Sequence, residues 1–446
     1  MKVAVLGAGI AGLAAGWTLQ RLGQAATVFE AAPVVGGKIQ SQRVDGYLLE
    51  LGPHSIMSSH AALYDALDEL GLGEARLVAG PEGRNRFIYR AGDLLPVPLG
   101  PAALIRTPLL SGAAKRRLFK EPFIARREDD ESVAAFFARR LGPEVVTRLI
   151  DPFVSGVYAG DPAKLSVAAA FPRLKEFERM GGSILKGALT ARRRANRNPT
   201  AKRPKRRRGM YAFPGGLQEV PLALAKALGG DLLLNTPVKE LVRGSGHWHV
   251  NGERFDALVS TVPLPAGVSL ASNLYPTTAL KYTQVAVVHL SYPRDAVSAR
   301  TDGFGVLIPA VEQRRILGIL FDSSLFPGRA PDGEHLFTIF MGGERNRWIG
   351  RESPENLVKI AAEEVMELLR IAPGVAPLFS HIHVWDAAIP QYGFEHGDLV
   401  RQLDELEAAH STLVFAGNYR QGISVGHAFE SGLEAARRLV SRLEIA

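Results

Sequence analysis

Polar and apolar positions alternate in blocks over the first thirty residues. Lys2 to Leu6 is almost wholly apolar, as a central parallel strand requires. A glycine-rich turn follows, Gly7-Ala8-Gly9-Ile10-Ala11-Gly12, and Leu13 to Leu22 then carries apolar residues at helical spacing until Gly23. Ala26 to Glu30 reads as a second strand, so the opening predicts a βαβ unit. Leu63, Leu67 and Leu70 predict a helix over 60–75, and Ser132 begins another that reaches Leu141. Between them, Pro96 to Pro108 is rich in proline and aliphatics, and Lys115 to Arg127 is a basic amphipathic stretch. Met210 to Gly216 leads into a helix ending at Gly229-Gly230, and strands are expected near Leu232, near Leu258 and from Thr283 to Tyr292. The chain closes with a strand at Leu413 to Phe415, a turn from Gly417 to Gly422 and a helix from Gly426 to Leu443. No internal repeat is visible.

Composition narrows the class. With 446 residues, 46% hydrophobic and 22% charged, the chain has the makings of two or three globular domains. A largely disordered chain, a fibrous repeat and a small disulfide scaffold are excluded. Cysteine is absent, which removes disulfides, thiolate metal sites, a catalytic thiol and any cofactor held through a thioether. The net charge is +8, but ten basic residues and no acid lie between Arg192 and Arg208, and the remainder is slightly acidic. That tract reads as a solvated basic loop. Met1-Lys2 runs directly into an apolar strand, so no signal peptide is expected. The long uncharged run Ala257 to Leu280 is broken by Pro263, Pro265 and Pro276 and is not expected to span a bilayer.

The glycine turn gains weight from its context. It follows a strand, opens a helix and is matched by Glu30 after the second strand. Gly7 permits the tight turn, Gly9 lets backbone approach a pyrophosphate, and Gly12 allows close helix–sheet packing. The helix N-terminus offers N–H groups and a positive dipole end to phosphate. Glu30 accepts hydrogen bonds from a ribose diol and would repel a 2′-phosphate, which disfavours NADP. Gly36-Gly37-Lys38 follows at once, a glycine pair typical of FAD proteins. The turn at Gly417 and the helix beginning near Gly426 would aim a second N-terminus at an isoalloxazine. The eleven histidines show no H-x-x-x-H spacing, and the alternate pairs His247/His249 and His381/His383 lack an evident third ligand, so no metal site is expected. No Ser/His/Asp or paired-carboxylate constellation stands out, so no acid–base catalyst is expected.

Further segments point to one family: Asn85-Arg86-Phe87-Ile88-Tyr89, Arg140-Leu141-Gly142-Pro143-Glu144-Val145, Ser155-Gly156-Val157-Tyr158-Ala159-Gly160-Asp161, Phe321-Asp322-Ser323-Ser324-Leu325-Phe326-Pro327 and Pro390-Gln391-Tyr392. With the flavin motifs they resemble the oxygen-dependent protoporphyrinogen oxidase family of the amine-oxidase-like flavoproteins, nearly end to end. The resemblance implies an α/β fold in three parts. These are a Rossmann-like FAD-binding domain from discontinuous segments (1–80, 209–263 and 405–446), an α+β substrate domain with a mixed sheet (81–95 and 264–404), and a helical membrane-binding domain (96–208). It implies non-covalent FAD contacted by Gly7 to Gly12, Glu30, Gly36, Gly37, Lys38, Gly52, Pro53, His54, Ser55, Val238, Trp385, Ile423, Ser424 and Val425. Arg86 matches a propionate-pairing arginine, and Gly156, Phe304, Leu307 and Met341 match residues lining a macrocycle slot.

The activity so implied is oxidation of protoporphyrinogen IX to protoporphyrin IX by dioxygen, with hydrogen peroxide formed, late in haem biosynthesis. Rival readings are a coproporphyrinogen III oxidase, an FAD amine or carotenoid oxidoreductase, and a non-catalytic membrane- or nucleic-acid-binding flavoprotein. Expected partners are the porphyrinogen, dioxygen and an anionic membrane surface on the cytoplasmic side, with a downstream chelatase and a homodimer as family-level expectations. Nucleic acid is not expected. Two departures stand against the pattern: Asn418 occupies a position where many flavoproteins carry an acid, and the tract 192–208 is unusually basic.

Overall fold

Residues 1–197 and 209–445 are described by the computed structural model. The chain opens with β1 (Lys2–Leu6), α1 (Ile10–Arg21) and β2 (Ala25–Phe29), followed by α2 (Ala61–Glu69). Next come β3 (Arg86–Arg90), β4 (Asp93–Pro96) and a helical stretch that includes α3 (Val133–Leu141), α4 (Asp151–Tyr158), α5 (Pro172–Gly181) and α6 (Ile184–Arg197). Then follow α7 (Glu219–Leu228), β5 (Leu232–Leu233), β6 (Ala257–Ser260), β7 (Tyr282–Pro293), β8 (Gly305–Leu307), β9 (Gly318–Leu320), β10 (Glu334–Gly342) and α8 (Pro354–Leu368). The last elements are β11 (Phe379–Pro390), β12 (Leu413–Phe415) and α9 (Val425–Ile445).

These elements sort into two units, one of Met1–Val78, Arg207–Lys281 and Glu395–Ala446, the other of Ala79–Arg206 and Tyr282–Phe394. The helices from α3 to α6 belong to the same unit as the larger sheet. In the first unit a five-stranded parallel sheet has the order β5-β2-β1-β6-β12. Val3, Ala4 and Val5 are fully buried in its centre, which explains the unbroken apolar run at the N-terminus. Strand order reverses at β1, and α/β sheets bind ligands beyond the carboxyl ends of their strands at such a point.

The second unit carries a seven-stranded mixed sheet in the order β11-β7-β10-β9-β8-β3-β4, parallel only between β8 and β3. Its two faces are sharply different. Phe87, Val288, Val306, Ile319, Ile339 and Met341 share one face with the apolar side of α8, through Leu357, Ala361 and Val365. Arg86, Ile88 and Leu307 alternate with them and so belong to the opposite face, with Val287, Phe340 and Trp385.

The helical stretch corrects one expectation. Arg192, Arg193, Arg194 and Arg197 lie in α6, not in a loop, because Leu185, Ala188 and Leu189 start a helix that arginine, a good helix former, continues. The rest of the basic tract, 198–208, lies outside the described residues. No helix among the described residues is long and apolar enough to cross a membrane.

Candidate functional site

The glycine turn is built by three different demands. Gly7 has φ +94°, a conformation costly for any residue with a Cβ, and its N–H donates to Phe29 O at 2.8 Å. A Cβ on Gly12 would overlap the Gly7 carbonyl oxygen and lie 2.7 Å from Thr261 Oγ1, which itself donates to Leu6 O at 2.7 Å. Gly9 is different. Its φ of −67° and ψ of 173° suit any residue, and a Cβ there would meet nothing within 4 Å. Neither backbone nor packing requires glycine at 9, and its bare backbone leaves the space before it open to a close-lying group. Gly9 is also the N-cap of α1, with no side chain capping the helix, so the first-turn N–H groups point into that same space.

Glu30 closes one side of the cradle. Its carboxylate accepts from Ala8 N at 2.7 Å and Ala32 N at 2.9 Å, leaving lone pairs for hydroxyl donors. Gly36 (φ +107°) and Gly37 (φ +60°) both need positive φ, and Gly36 N donates to Ala8 O at 2.9 Å, which fastens that loop to the turn. Gly52 lies so close to Lys38 that a Cβ would overlap the Lys38 carbonyl, and burial lowers the Lys38 ammonium pKa. His54 is buried, Pro53 and Ser55 are half-buried, and Val238 is half-buried in the irregular segment after β5.

The C-terminal helix reaches the same cradle. A Cβ on Gly432 would overlap Ala11 O, so α9 crosses α1 in backbone contact at the glycine motif itself. Gly432 is seven residues into α9, which sets the start of that helix about 10 Å along the axis at 1.5 Å per residue. The open glycine turn, the uncapped α1 N-terminus and the Glu30 carboxylate are the donor and acceptor set that the phosphates and ribose of a dinucleotide need. The residues fit the group.

In the second unit Arg86 and Phe304 come together, the guanidinium carbon 5.1 Å from the ring centroid. Burial lowers the Arg86 pKa from the ordinary arginine value. Gly156, on α4, is tight against Leu307, whose Cδ2 a Cβ would overlap. Leu307 and Arg86 share one sheet face, and so does Trp385, whose ring centroid lies 4.3 Å from that of His383 beside a bulge in β11. Met341 is not brought together with them. It is fully buried on the opposite face, because its position in the β10 register pairs it with Ala286 in the α8-covered core.

Sequence reasoning missed His60, His427 and Glu430. These cluster with Ser424 at the start of α9, and isolated histidines hundreds of residues apart carry no spacing signal. No group of three or more His, Asp or Glu among the described residues is arranged to hold a metal.

Comparison with known proteins shows the family. The family model for flavin containing amine oxidoreductases matches residues 10–440. The mitochondrial protoporphyrinogen oxidase of Nicotiana tabacum is 35% identical, over 99% of this chain and 95% of its own length. The coproporphyrinogen III oxidase of Bacillus subtilis is 29% identical, over 97% of this chain and 96% of its own. A solved structure from Exiguobacterium sp. 255-15 superposes with a TM-score of 0.83 over 99% of both chains at 23% identity, which shows the shared fold. The chain belongs to the flavin-containing amine oxidoreductase family and, within it, to the protoporphyrinogen oxidases that it matches from end to end.

Proposed function

We propose that this chain is an FAD-dependent oxidase converting protoporphyrinogen IX to protoporphyrin IX, a late step of haem biosynthesis, with dioxygen as acceptor. The observation that carries this reading is the end-to-end 35% identity to a protoporphyrinogen oxidase, joined to a glycine cradle whose Gly9 backbone lies open to a pyrophosphate. The chemistry supplied by bound FAD is two-electron acceptance, a hydride from substrate carbon on one side and reduction of dioxygen to hydrogen peroxide on the other.

The chain's own residues bind and orient. The α1 first turn and Glu30 hold phosphate and ribose. Arg86, charged and partly desolvated, takes a propionate in a bidentate pair, and Phe304 fixes the guanidinium plane from one side. Leu307 lying on the bare backbone of Gly156 makes an apolar wall that a flat macrocycle fits. Removal of the hydride is then chiefly a matter of positioning one C–H bond.

Attachment to an anionic lipid surface is part of the proposal. Phe119 and Phe123 are 66% and 86% exposed, and Lys186 Nζ sits 5.7 Å from the Phe123 ring centroid, a pairing of apolar anchor and cation suited to a headgroup region. The decisive test follows porphyrin fluorescence from protoporphyrinogen IX and coproporphyrinogen III in air. Faster turnover of the first supports the proposal. Preference for the second, the substrate in the name of the Bacillus subtilis relative, would replace it, and no turnover of either by the flavin-loaded protein would sink it.

A further inference from the structure

Four side chains meet at the start of α9. His60, the residue preceding α2, has its Nδ1 3.1 Å from Glu430 Oε2 and its Nε2 3.2 Å from Ser424 Oγ. Ser424 Oγ is in turn 2.8 Å from His427 Nδ1 and accepts from the His427 backbone N–H at 3.2 Å. The two imidazoles stand edge to face, 4.5 Å between centroids. Both are pressed onto glycine backbone, since Cβ atoms on Gly426 and Gly422 would overlap the His60 and His427 rings. The result is an unbroken hydrogen-bonded line, Glu430–His60–Ser424–His427. His427 and Glu430 also line a cavity of about 390 Å³ with Arg420, Gln421, Glu434 and Arg438, roomy enough for several waters.

Donor and acceptor logic gives this line two states. With Glu430 ionised, His60 Nδ1 carries a proton and donates to it. If His60 is neutral, its Nε2 accepts from the Ser424 hydroxyl, and Ser424 accepts from His427 Nδ1–H. If the line takes up a proton at His427 Nε2 from the cavity, the His427 Nδ1 proton passes to Ser424 Oγ as the hydroxyl proton passes to His60 Nε2; the His60 Nε2–H then donates to Ser424, whose hydroxyl donates to the now bare His427 Nδ1. One proton taken from the cavity side thus reverses the serine hydroxyl at the helix start. Burial, and then the neighbouring His60, depress the His427 pKa against the pull of Glu430, which favours the neutral ring that such a reversal needs.

We infer that Glu430, His60, Ser424 and His427 form a proton-holding chain that positions a hydrogen-bonding hydroxyl and one exchangeable proton at the flavin. The inference rests on the reading that the α9 start faces the flavin. Each turnover removes a hydride and a proton from the substrate, and dioxygen takes up the same two electrons and two protons to leave as hydrogen peroxide. The chain stores the proton between those two events. The charged groups facing it are Glu430 and Glu434 on α9, Arg438 on the same helix, and Arg420, which also pairs with Asp404 and the buried Glu407.

The test is the reduction potential of the bound flavin against pH in the holoenzyme, across the histidine range of about pH 5 to 8. A change of slope in that range is expected in the wild type and is expected to vanish in H60Q and in E430Q. E430Q keeps the shape of a partly exposed side chain, so it guards against loss of fold in H60Q. Peroxide release is expected to slow by about 100-fold, the lower end of what positioned proton donors contribute. A slope change that survives both variants, or is absent from the wild type, overturns the inference. If the slope change survives while the flavin visible band shifts in S424A, the flavin is at α9 and only the proton chain fails. If neither the band nor FAD affinity responds to S424A, H60Q or H427Q, the placement of the flavin fails with it.

Discussion

Replacing Gly9 and Gly12 separately by alanine distinguishes what the cofactor demands of the turn from what the fold demands. At Gly9 the backbone is already in a region alanine favours and the new methyl meets no protein atom within 4 Å. In the flavin-free protein G9A is expected to be neutral or stabilising by about 0.4–1 kcal/mol, because alanine narrows the unfolded ensemble. The same methyl occupies the cradle, and forcing a group into a filled site costs about 1–3 kcal/mol. FAD should therefore bind roughly 5- to 150-fold more weakly. At Gly12 the methyl overlaps the Gly7 carbonyl, a backbone atom that cannot swing aside, so G12A should cost about 3 kcal/mol or more with or without flavin. For a unit of roughly 200 residues that is a fall in Tm of at least about 6 °C. Thermal unfolding of deflavinated protein and FAD titration by fluorescence quenching read both effects. A destabilised apo G9A, or G9A with wild-type FAD affinity, would refute the reasoning.

Four further outcomes follow from the second unit. R86A should lower kcat/KM by about 10- to 150-fold, the worth of one hydrogen bond to a charged group (about 1.5–3 kcal/mol), mostly through KM, with R86K intermediate in steady-state assays. Arg140 is fully buried against Glu178, which also accepts from Arg139 at 2.9 Å, so E178A leaves Arg140 only the longer 3.5 Å pair with Glu121 and should cost about 3 kcal/mol in denaturant unfolding. Burial pushes the Glu178 carboxyl up, but its hydrogen bonds to Arg140 and Arg139 outweigh this and hold it below the usual range. A depressed carboxylate contributes stability above its unfolded pKa of about 4.3, lost as pH falls through the lower folded value, so E178Q should flatten the acid limb of the stability–pH curve. F123D should weaken sedimentation with anionic vesicles, and raised salt should weaken what remains; unchanged co-sedimentation would remove Phe123 from the lipid surface.

What the sequence disclosed depended on distance along the chain. The strand Leu413–Phe415 matches its apolar run residue for residue, because run, turn and helix there are local. The α1 helix begins at Ile10 instead of Leu13, since the third glycine of the motif is already helical. The helix read over 60–75 stops at Glu69, where Gly71 takes φ +78° and Leu72 N donates back to Leu67 O. The seven-stranded sheet was less accessible, because β7 and β11 pair across about a hundred residues and a bulge shifts their register between Thr283 and Val285. Strand register decides which face a residue joins, and the β10–β9–β8 pairing puts Met341 and Leu307 on opposite faces. The contact between His60 and Glu430 joins residues 370 apart in the chain, beyond any periodicity.

The first unit's division into three stretches has a consequence for synthesis. Its sheet lacks an edge strand until Leu413–Phe415 has been made, and the helix that crosses the glycine turn comes later still. A nascent chain stopped before that point exposes β6 as an open edge and has only half of the cradle. Cofactor capture therefore comes late: the ligand that stabilises the native state cannot do so until α9 has been made. Meanwhile the second unit, interposed between the three stretches, must accommodate long-range closure by its neighbours. A bound flavin would thus stabilise only chains in which these distant segments have come together.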